Sequence, residues 1–378
     1  MSQPVATSVA TDPRADARLA FARAASGDPA LTLQRASVDA GFRSYWRAER
    51  DHGASLIVMD SPPDKEDVRP WLRIRDLLEA GGVRVPRVLA RDVDAGFLLL
   101  EDLGRQTYLH AIDDANAAPL FDAAIDQLLK LQAIAPPADL PAYDEPLLAR
   151  ELRLFDEWFL GRHLGVALDC GALDALDGVY RRLIDAALAQ PQVLVHRDFM
   201  PRNLMPADDG PAVLDFQDAV RGPVAYDVLS LFKDAFLSWP AARVDDWVGD
   251  YHSRALAAGI AVPPLARFRR DVDWIGVQRH LKVLGIFARL NHRDGKPHYV
   301  ADAPRFAQTV AQLPQVAGRA TTDCQPPKCA ADIRQRPQRR LDEPPKWHGQ
   351  QHGKQRHQLR RAAGKPVRQV AGADHASV

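Results

Sequence analysis

Cysteine is scarce in this chain: Cys170, Cys324 and Cys329 are the only three among 378 residues. Three thiols cannot build a disulfide framework, and they fit a reducing compartment. Cys324 and Cys329 sit in a stretch that supplies no convincing further ligands, so no zinc centre is expected. Long apolar runs are also missing, and none approaches the roughly 20 residues needed to cross a bilayer. The opening MSQPVATSVATDPRADARLA lacks the apolar core of a signal peptide, which predicts a cytoplasmic protein with no membrane partner. Net charge is absent too, because 49 Lys and Arg balance 49 Asp and Glu. No overall field draws the chain to nucleic acid, and no obligate protein partner is implied. There is no internal repeat. Partners have to be argued from sites.

What charge there is lies unevenly. From Gly318 onward 13 Lys and Arg face 5 Asp and Glu, an excess of +8 that leaves −8 on the rest. This stretch is rich in Gln, Arg, His and Pro and keeps no apolar period. It predicts a disordered basic tail over 317–378, of the composition a GC-rich gene gives when read out of frame. A solvated extension is the reading here, rather than a nucleic-acid-binding arm. Residues 1–16 are expected to be a flexible terminus.

The body between them divides in two. Within 17–103, LTLQRAS, FRSYWRAER and SLIVMD carry the β-branched and aromatic residues of strands, and RPWLRIRDLLEA is an amphipathic helix stopped by Gly81 and Gly82. Over 104–316 helical spacing dominates. Phe121, Ile125 and Leu128 share one face, as do Leu148, Leu152, Phe155 and Phe159, and then Leu176, Val179 and Leu183. The expected fold class is α+β, a small β-rich lobe followed by a larger, mainly helical one, with the boundary near Leu103 and Gly104.

The chemistry concentrates in VLVHRDFMPRNLMPADDGPAVLDFQD, residues 193–218. Val193–Val195 and Val213–Leu214 read as short buried strands, so His196 and Asp215 stand where strands run out into loops. Phosphoryl transfer asks little covalent help of a protein. It needs a carboxylate to orient and deprotonate the acceptor hydroxyl, and oxygen ligands for Mg²⁺ on the phosphates. Asp198, Asn203 and Asp215 supply that set, with the Asp-to-Asn spacing of five and the following Asp-Phe pair of a kinase catalytic loop.

VHRDFMPRNLM followed by LDFQDAVRGPVAYDVLSL resembles the aminoglycoside phosphotransferase-like kinases, which share the two-lobed protein-kinase-like fold. Within that family the chain is most similar to the bacterial kinases of cell-wall recycling that phosphorylate N-acetylmuramate and N-acetylglucosamine at the anomeric hydroxyl. The similarity extends over GFRSYWR, LIVMDSPPDKED, FLLLEDLGRQTYL and GVQRHLKVLGIFARLNHRDGKP, most of residues 31–306. It implies ATP and Mg²⁺ as cofactors, a small amino sugar as partner, Asp198 as base, and Asn203 and Asp215 as metal ligands. It further implies that the backbone of Glu101, Asp102 and Leu103 binds adenine, while His196 and Asp227 brace the catalytic loop. Asp218 is open between metal or substrate contact and a turn cap.

Two departures from the family stand out. The Lys that contacts phosphates from the third strand is missing, because SLIVMD offers Met59 or Asp60 there; Arg43, Arg47 or Lys65 could supply the charge instead. The nucleotide loop SVDAGFRS holds a single glycine, Gly41. For the acceptor, the lactyl carboxylate of muramate asks for cations and amide donors, whereas a cationic aminoglycoside asks for clustered carboxylates. Arg202, Arg279, His280 and Lys282, with Arg289 beyond them, fit the first. An aminoglycoside or choline-type kinase, and a degenerate kinase-like binding protein, stand as the alternatives.

Overall fold

The computed structural model describes residues 12–38, 42–50, 54–233, 237–297 and 299. The expected tail over 317–378, most of the expected N-terminal segment and Gly41 of the nucleotide loop lie outside the described residues.

An N-terminal helix, α1 (Ala15–Ser26), precedes three strands, β1 (Thr32–Val38), β2 (Ser44–Glu49) and β3 (Leu56–Asp60). Helix α2 (Arg69–Ala80) follows, then β4 (Val88–Asp92) and β5 (Phe97–Glu101). These strands form one antiparallel sheet in the order β1-β2-β3-β5-β4. Alternation along them separates two faces. Leu56, Val58 and Leu99 pack with Ala48 and Ala22 under α1, while Met59, Leu98 and Leu100 join Trp71, Ile74 and Leu78 of α2. Helix α1 starts at Ala15, two residues before the expected lobe limit, and is tied down by Arg14 and Arg18, both 2.8 Å from the Asp60 carboxylate.

After Glu101 the chain is mainly helical: α3 (Tyr108–Ala111), α4 (Ala117–Ala133), α5 (Glu145–Leu154) and α6 (Cys170–Leu188). Asp144 caps α5 by accepting from the Leu147 amide at 3.0 Å, and Asp169 caps α6 through the Ala172 amide at 2.8 Å. Helix α5 runs on as a π-helical segment, Phe155–His163, in which the expected pair Phe155 and Phe159 stack with centroids 5.6 Å apart. Two antiparallel ribbons come next: β6 (Gln192–Val195) with β9 (Val220–Pro223), and β7 (Leu204–Met205) with β8 (Ala212–Val213). Leu214, expected in a strand, lies just past the end of β8. Helix α7 (Ala225–Phe232) is buried on every side, and α8 (Ala241–Ala257) and α9 (Leu265–Asp294) close the lobe. A side chain on Gly285 of α9 would meet the Leu154 carbonyl carbon at 2.3 Å, so glycine is what lets α9 cross α5 at backbone contact.

Candidate phosphotransfer site

Each ribbon throws a loop to the same place. The loop after β6 carries His196 to Asn203, ending in a 3₁₀ turn over Pro201–Asn203, and the loop after β8 carries Asp215 to Asp218. His196 stitches them together. Its Nδ1 accepts the Asp198 amide at 3.2 Å, so Nε2 carries the proton and donates to the Leu214 carbonyl at 2.9 Å. The Leu214 amide returns a bond to the Asn203 carbonyl at 2.9 Å, and Asn203 Nδ2 donates to the Asp198 carbonyl at 2.9 Å. From α7, Asp227 accepts the His196 amide at 2.7 Å and the Arg197 amide at 3.1 Å. Asp198, Asn203 and Asp215 are thus set by one hydrogen-bonded frame. Arg197 (φ 77°) and Asp215 (φ 62°) are the two non-glycine residues with left-handed φ among the described residues, and one stands in each loop. Such strain is tolerated where the surroundings over-determine the backbone.

The charges follow from that frame. Burial holds the His196 imidazole below its usual range against the pull of Asp198, Asp215 and Asp218, so the ring is the neutral tautomer the hydrogen bonds require. For Asp198, burial works upward but the charges of Arg279, Lys282 and Arg197 outweigh it and keep the carboxyl below its ordinary value. Burial pushes Asp227 up to about 7, although its two amide donors pull the other way.

The nucleotide-side candidates separate clearly. Arg47 forms a fork on Asp102, Nε to Oδ2 at 2.5 Å and Nη2 to Oδ1 at 3.0 Å, and reaches the Gly104 carbonyl at 2.7 Å. Ser55 adds a bond to Asp102 at 2.7 Å. Arg47 therefore fastens β2 to the connector after β5, and a phosphate contact would have to break that pair. Glu101 is held by Arg84 at 2.5 and 2.9 Å. The connector side chains are thus taken up by protein, while among the described residues the main chain of Leu103 makes no hydrogen bond. Lys65 is exposed beside Asp64, whereas Arg43 is buried at the start of β2 with its Nε 3.1 Å from Glu66. In place of a third-strand Lys, Met59 is packed in the core and Asp60 faces α1.

On the acceptor side the expected cations of α9 have protein partners. Lys282 is buried, with Nζ 2.9 Å from Glu151 and 3.2 Å from the Tyr226 hydroxyl. Arg279 is buried against the catalytic loop. His280 is buried by the end of α7, hydrogen-bonded to the Lys233 backbone, and burial lowers its pKa to about 4. A spacing of three placed Arg279 and Lys282 on one face, as expected, but it is the face packed on α5 and α7. Arg289 is half-buried, and Arg202 and Asp218 are exposed in the two loops. Sequence reasoning missed Glu151, which gathers Arg197 at 2.5 Å, Lys282 and the Tyr143 hydroxyl. It stands 46 residues from Arg197, and no local pattern marks it.

The donor set suits a hard divalent cation shared with phosphates. Asn203 spends its amide NH₂ on Asp198 and keeps its oxygen, and Asp215 is an exposed carboxylate. Among the described residues no group of three or more His, Cys, Asp or Glu forms a protein-only metal cage. Also among them, no helix is long and apolar enough to cross a membrane.

Known proteins agree with this geometry. Two solved structures share the fold: an ADP-bound aminoglycoside phosphotransferase APH(2'')-Ib (TM-score 0.54, 15% identity, 78% of this chain and 98% of that one) and a choline/ethanolamine kinase family protein from Mesorhizobium loti (TM-score 0.56, 18% identity, 80% and 96%). Two relatives named N-acetylmuramate/N-acetylglucosamine kinase are far nearer in sequence. That of Pseudomonas putida is 54% identical over 292 residues, covering 77% of this chain and 85% of the relative. That of Pseudomonas aeruginosa is 51% identical over 294 residues, covering 76% and 87%. With residues 32–269 matching the "Phosphotransferase enzyme family", the chain belongs to that family.

Proposed function

We propose that this protein is an ATP-dependent kinase that phosphorylates the anomeric hydroxyl of N-acetylmuramate or N-acetylglucosamine, giving the sugar 1-phosphate in peptidoglycan recycling. The observation that carries the reading is the Asp198, Asn203 and Asp215 frame, in a chain about half identical to relatives named for these two sugars. Asp198 accepts the hydrogen bond of the acceptor hydroxyl and takes its proton as the oxygen attacks the γ-phosphorus. The bond from that phosphorus to the β,γ-bridging oxygen breaks, and ADP leaves with the bond's electron pair. Asn203 and Asp215 are the residues that would hold Mg²⁺, which when bound neutralises charge on the phosphate oxygens. The main chain of Glu101 to Leu103 receives adenine, and of the three candidate cations Arg43 is the one assigned to the phosphates, in exchange for its contact with Glu66. His196 and Asp227 hold the loop. Arg202 and Asp218, exposed in the two site loops, are the residues assigned to the sugar.

The test is ATP consumption with N-acetylmuramate, N-acetylglucosamine, an aminoglycoside and choline, with the product identified by phosphorus NMR. Turnover confined to the amino sugars, giving an acid-labile 1-phosphate, is expected. Turnover with the aminoglycoside or choline alone would overturn the substrate assignment. Nucleotide binding without any turnover would establish the degenerate reading that the absent third-strand Lys suggests.

A further inference from the structure

We infer that Arg279 is the positioning residue of this site: one guanidinium fixes both the Asp198 carboxylate and the backbone that carries it, leaving one carboxylate oxygen for the acceptor. The inference rests on the reading of Asp198 as the base. Arg279 Nη2 lies 3.2 Å from Asp198 Oδ1, while Nη1 donates to the Arg197 carbonyl at 2.8 Å and to the Tyr226 hydroxyl at 3.1 Å. Among the described residues no hydrogen bond reaches Asp198 Oδ2. The side chain of Arg279 is 8% exposed and that of Asp198 is 40% exposed, so the clamp is buried and the clamped group faces out.

The clamp is itself held. The Tyr226 hydroxyl meets Lys282 Nζ at 3.2 Å and Tyr143 at 3.3 Å as well as Arg279, and the Tyr226 ring lies 5.4 Å below the Arg279 guanidinium. Glu151 joins Lys282 to Arg197, whose left-handed backbone is fixed at its amide by Asp227 and at its carbonyl by Arg279. Glu151 pairs with Arg197 and Lys282, and Asp198 pairs with Arg279, so the clamp is continuous with a buried set of ion pairs. A planar fork holds a carbonyl and a carboxylate in one fixed geometry, whereas an ammonium is a compact point charge whose donors rotate. The assignment replaces a sugar contact for Arg279, because both terminal nitrogens already serve the loop and α7.

The experiment compares wild type with Arg279→Lys, Arg279→Ala and Tyr226→Phe, measuring kcat, both KM values, the Kd for a fluorescent ATP analogue, and Tm. Arg279→Lys should keep the nucleotide Kd and both KM values within about threefold while kcat falls roughly 100-fold, the cost of a misplaced reacting group. Guanidinium ion, but not ammonium, should restore part of the kcat of Arg279→Ala. A kcat for Arg279→Lys within twofold of wild type, or a loss seen as a raised sugar KM with kcat kept, would overturn the inference. If the Arg279 variants do not fold, Tyr226→Phe decides: a several-fold lower kcat at constant KM is expected, and unchanged kcat refutes. Wild-type turnover separates the two levels. An active wild type with indifferent variants sinks the positioning role alone, whereas a wild type inactive on every amino sugar sinks the function with it.

Discussion

Replacing Glu151 with Gln tests the buried network with little change of shape. Glu151 is 6% exposed and receives Arg197 at 2.5 Å and Lys282 at 2.9 Å. Burial alone would raise its pKa, but Lys282, Arg197 and the Tyr143 hydroxyl lower it from an ordinary 4.5 to about 2. That depression corresponds to about 3 kcal/mol of folding free energy. Breaking a buried pair on other grounds costs about 3–5 kcal/mol, because the partner cations are left uncompensated. The two agree, and Glu151→Gln should lose about 3 kcal/mol, or roughly 5–10 °C in Tm for a chain of this size. The sign with pH is definite. A depressed carboxylate stabilises fully above its unfolded-state value near 4.5 and loses that contribution as pH falls toward 2. The difference in Tm between wild type and Glu151→Gln should therefore be largest at neutral pH and shrink below pH 4. A Tm within 2 °C of wild type at pH 7, or a gap that does not close in acid, would falsify the account.

Asp198→Asn should lower kcat at least about 1,000-fold with the nucleotide Kd unchanged, while Asp215→Asn should weaken Mg·ATP binding as well; fluorescence titration beside steady-state kinetics separates them. Among the three candidate phosphate cations, Arg43→Ala should raise the KM for ATP about tenfold and Lys65→Ala leave it within twofold. Arg47→Ala should instead lower Tm by stranding Asp102. If all three leave ATP kinetics unchanged, the idea of a substitute cation fails. Gly285→Ala puts a carbon 2.3 Å from the Leu154 carbonyl carbon, so the helices must part; a Tm loss equivalent to about 3 kcal/mol or more is expected, and a near-native Tm would disprove the close crossing.

Much of the site was legible because its residues are local. His196, Asp198 and Asn203 fall within eight residues, and Asp215 follows a single tight ribbon, so the short spacings of the motif survive folding intact. The helix over 69–80 was equally plain, since it buries one face and shows the matching period, and the strand over 56–60 is a short apolar run buried on both faces. Helix α1 was not. Its fully buried positions are Arg18 and Ala22, with Leu19, Phe21 and Ala25 only partly covered, and an ion pair from Arg18 to Asp60 across 42 residues helps to hold it. The protein partners of Arg47, Arg279 and Lys282 were hidden for a related reason: a cation in a sequence announces charge but not its partner.

By itself the sequence determined the lobe order, the reaction class and the residues that gather in the two site loops, because hydrophobic period and a compact motif are local properties of the chain. Only the tertiary structure decided which charges are spent inside the protein. Asp102 claims Arg47, Glu151 claims Lys282, and Asp198 claims Arg279 from residues 55, 131 and 81 positions away respectively. Such pairs form where helices and strands cross, and burial makes an uncompensated charge costly enough that the nearest opposite charge takes it, whatever a sequence motif suggests.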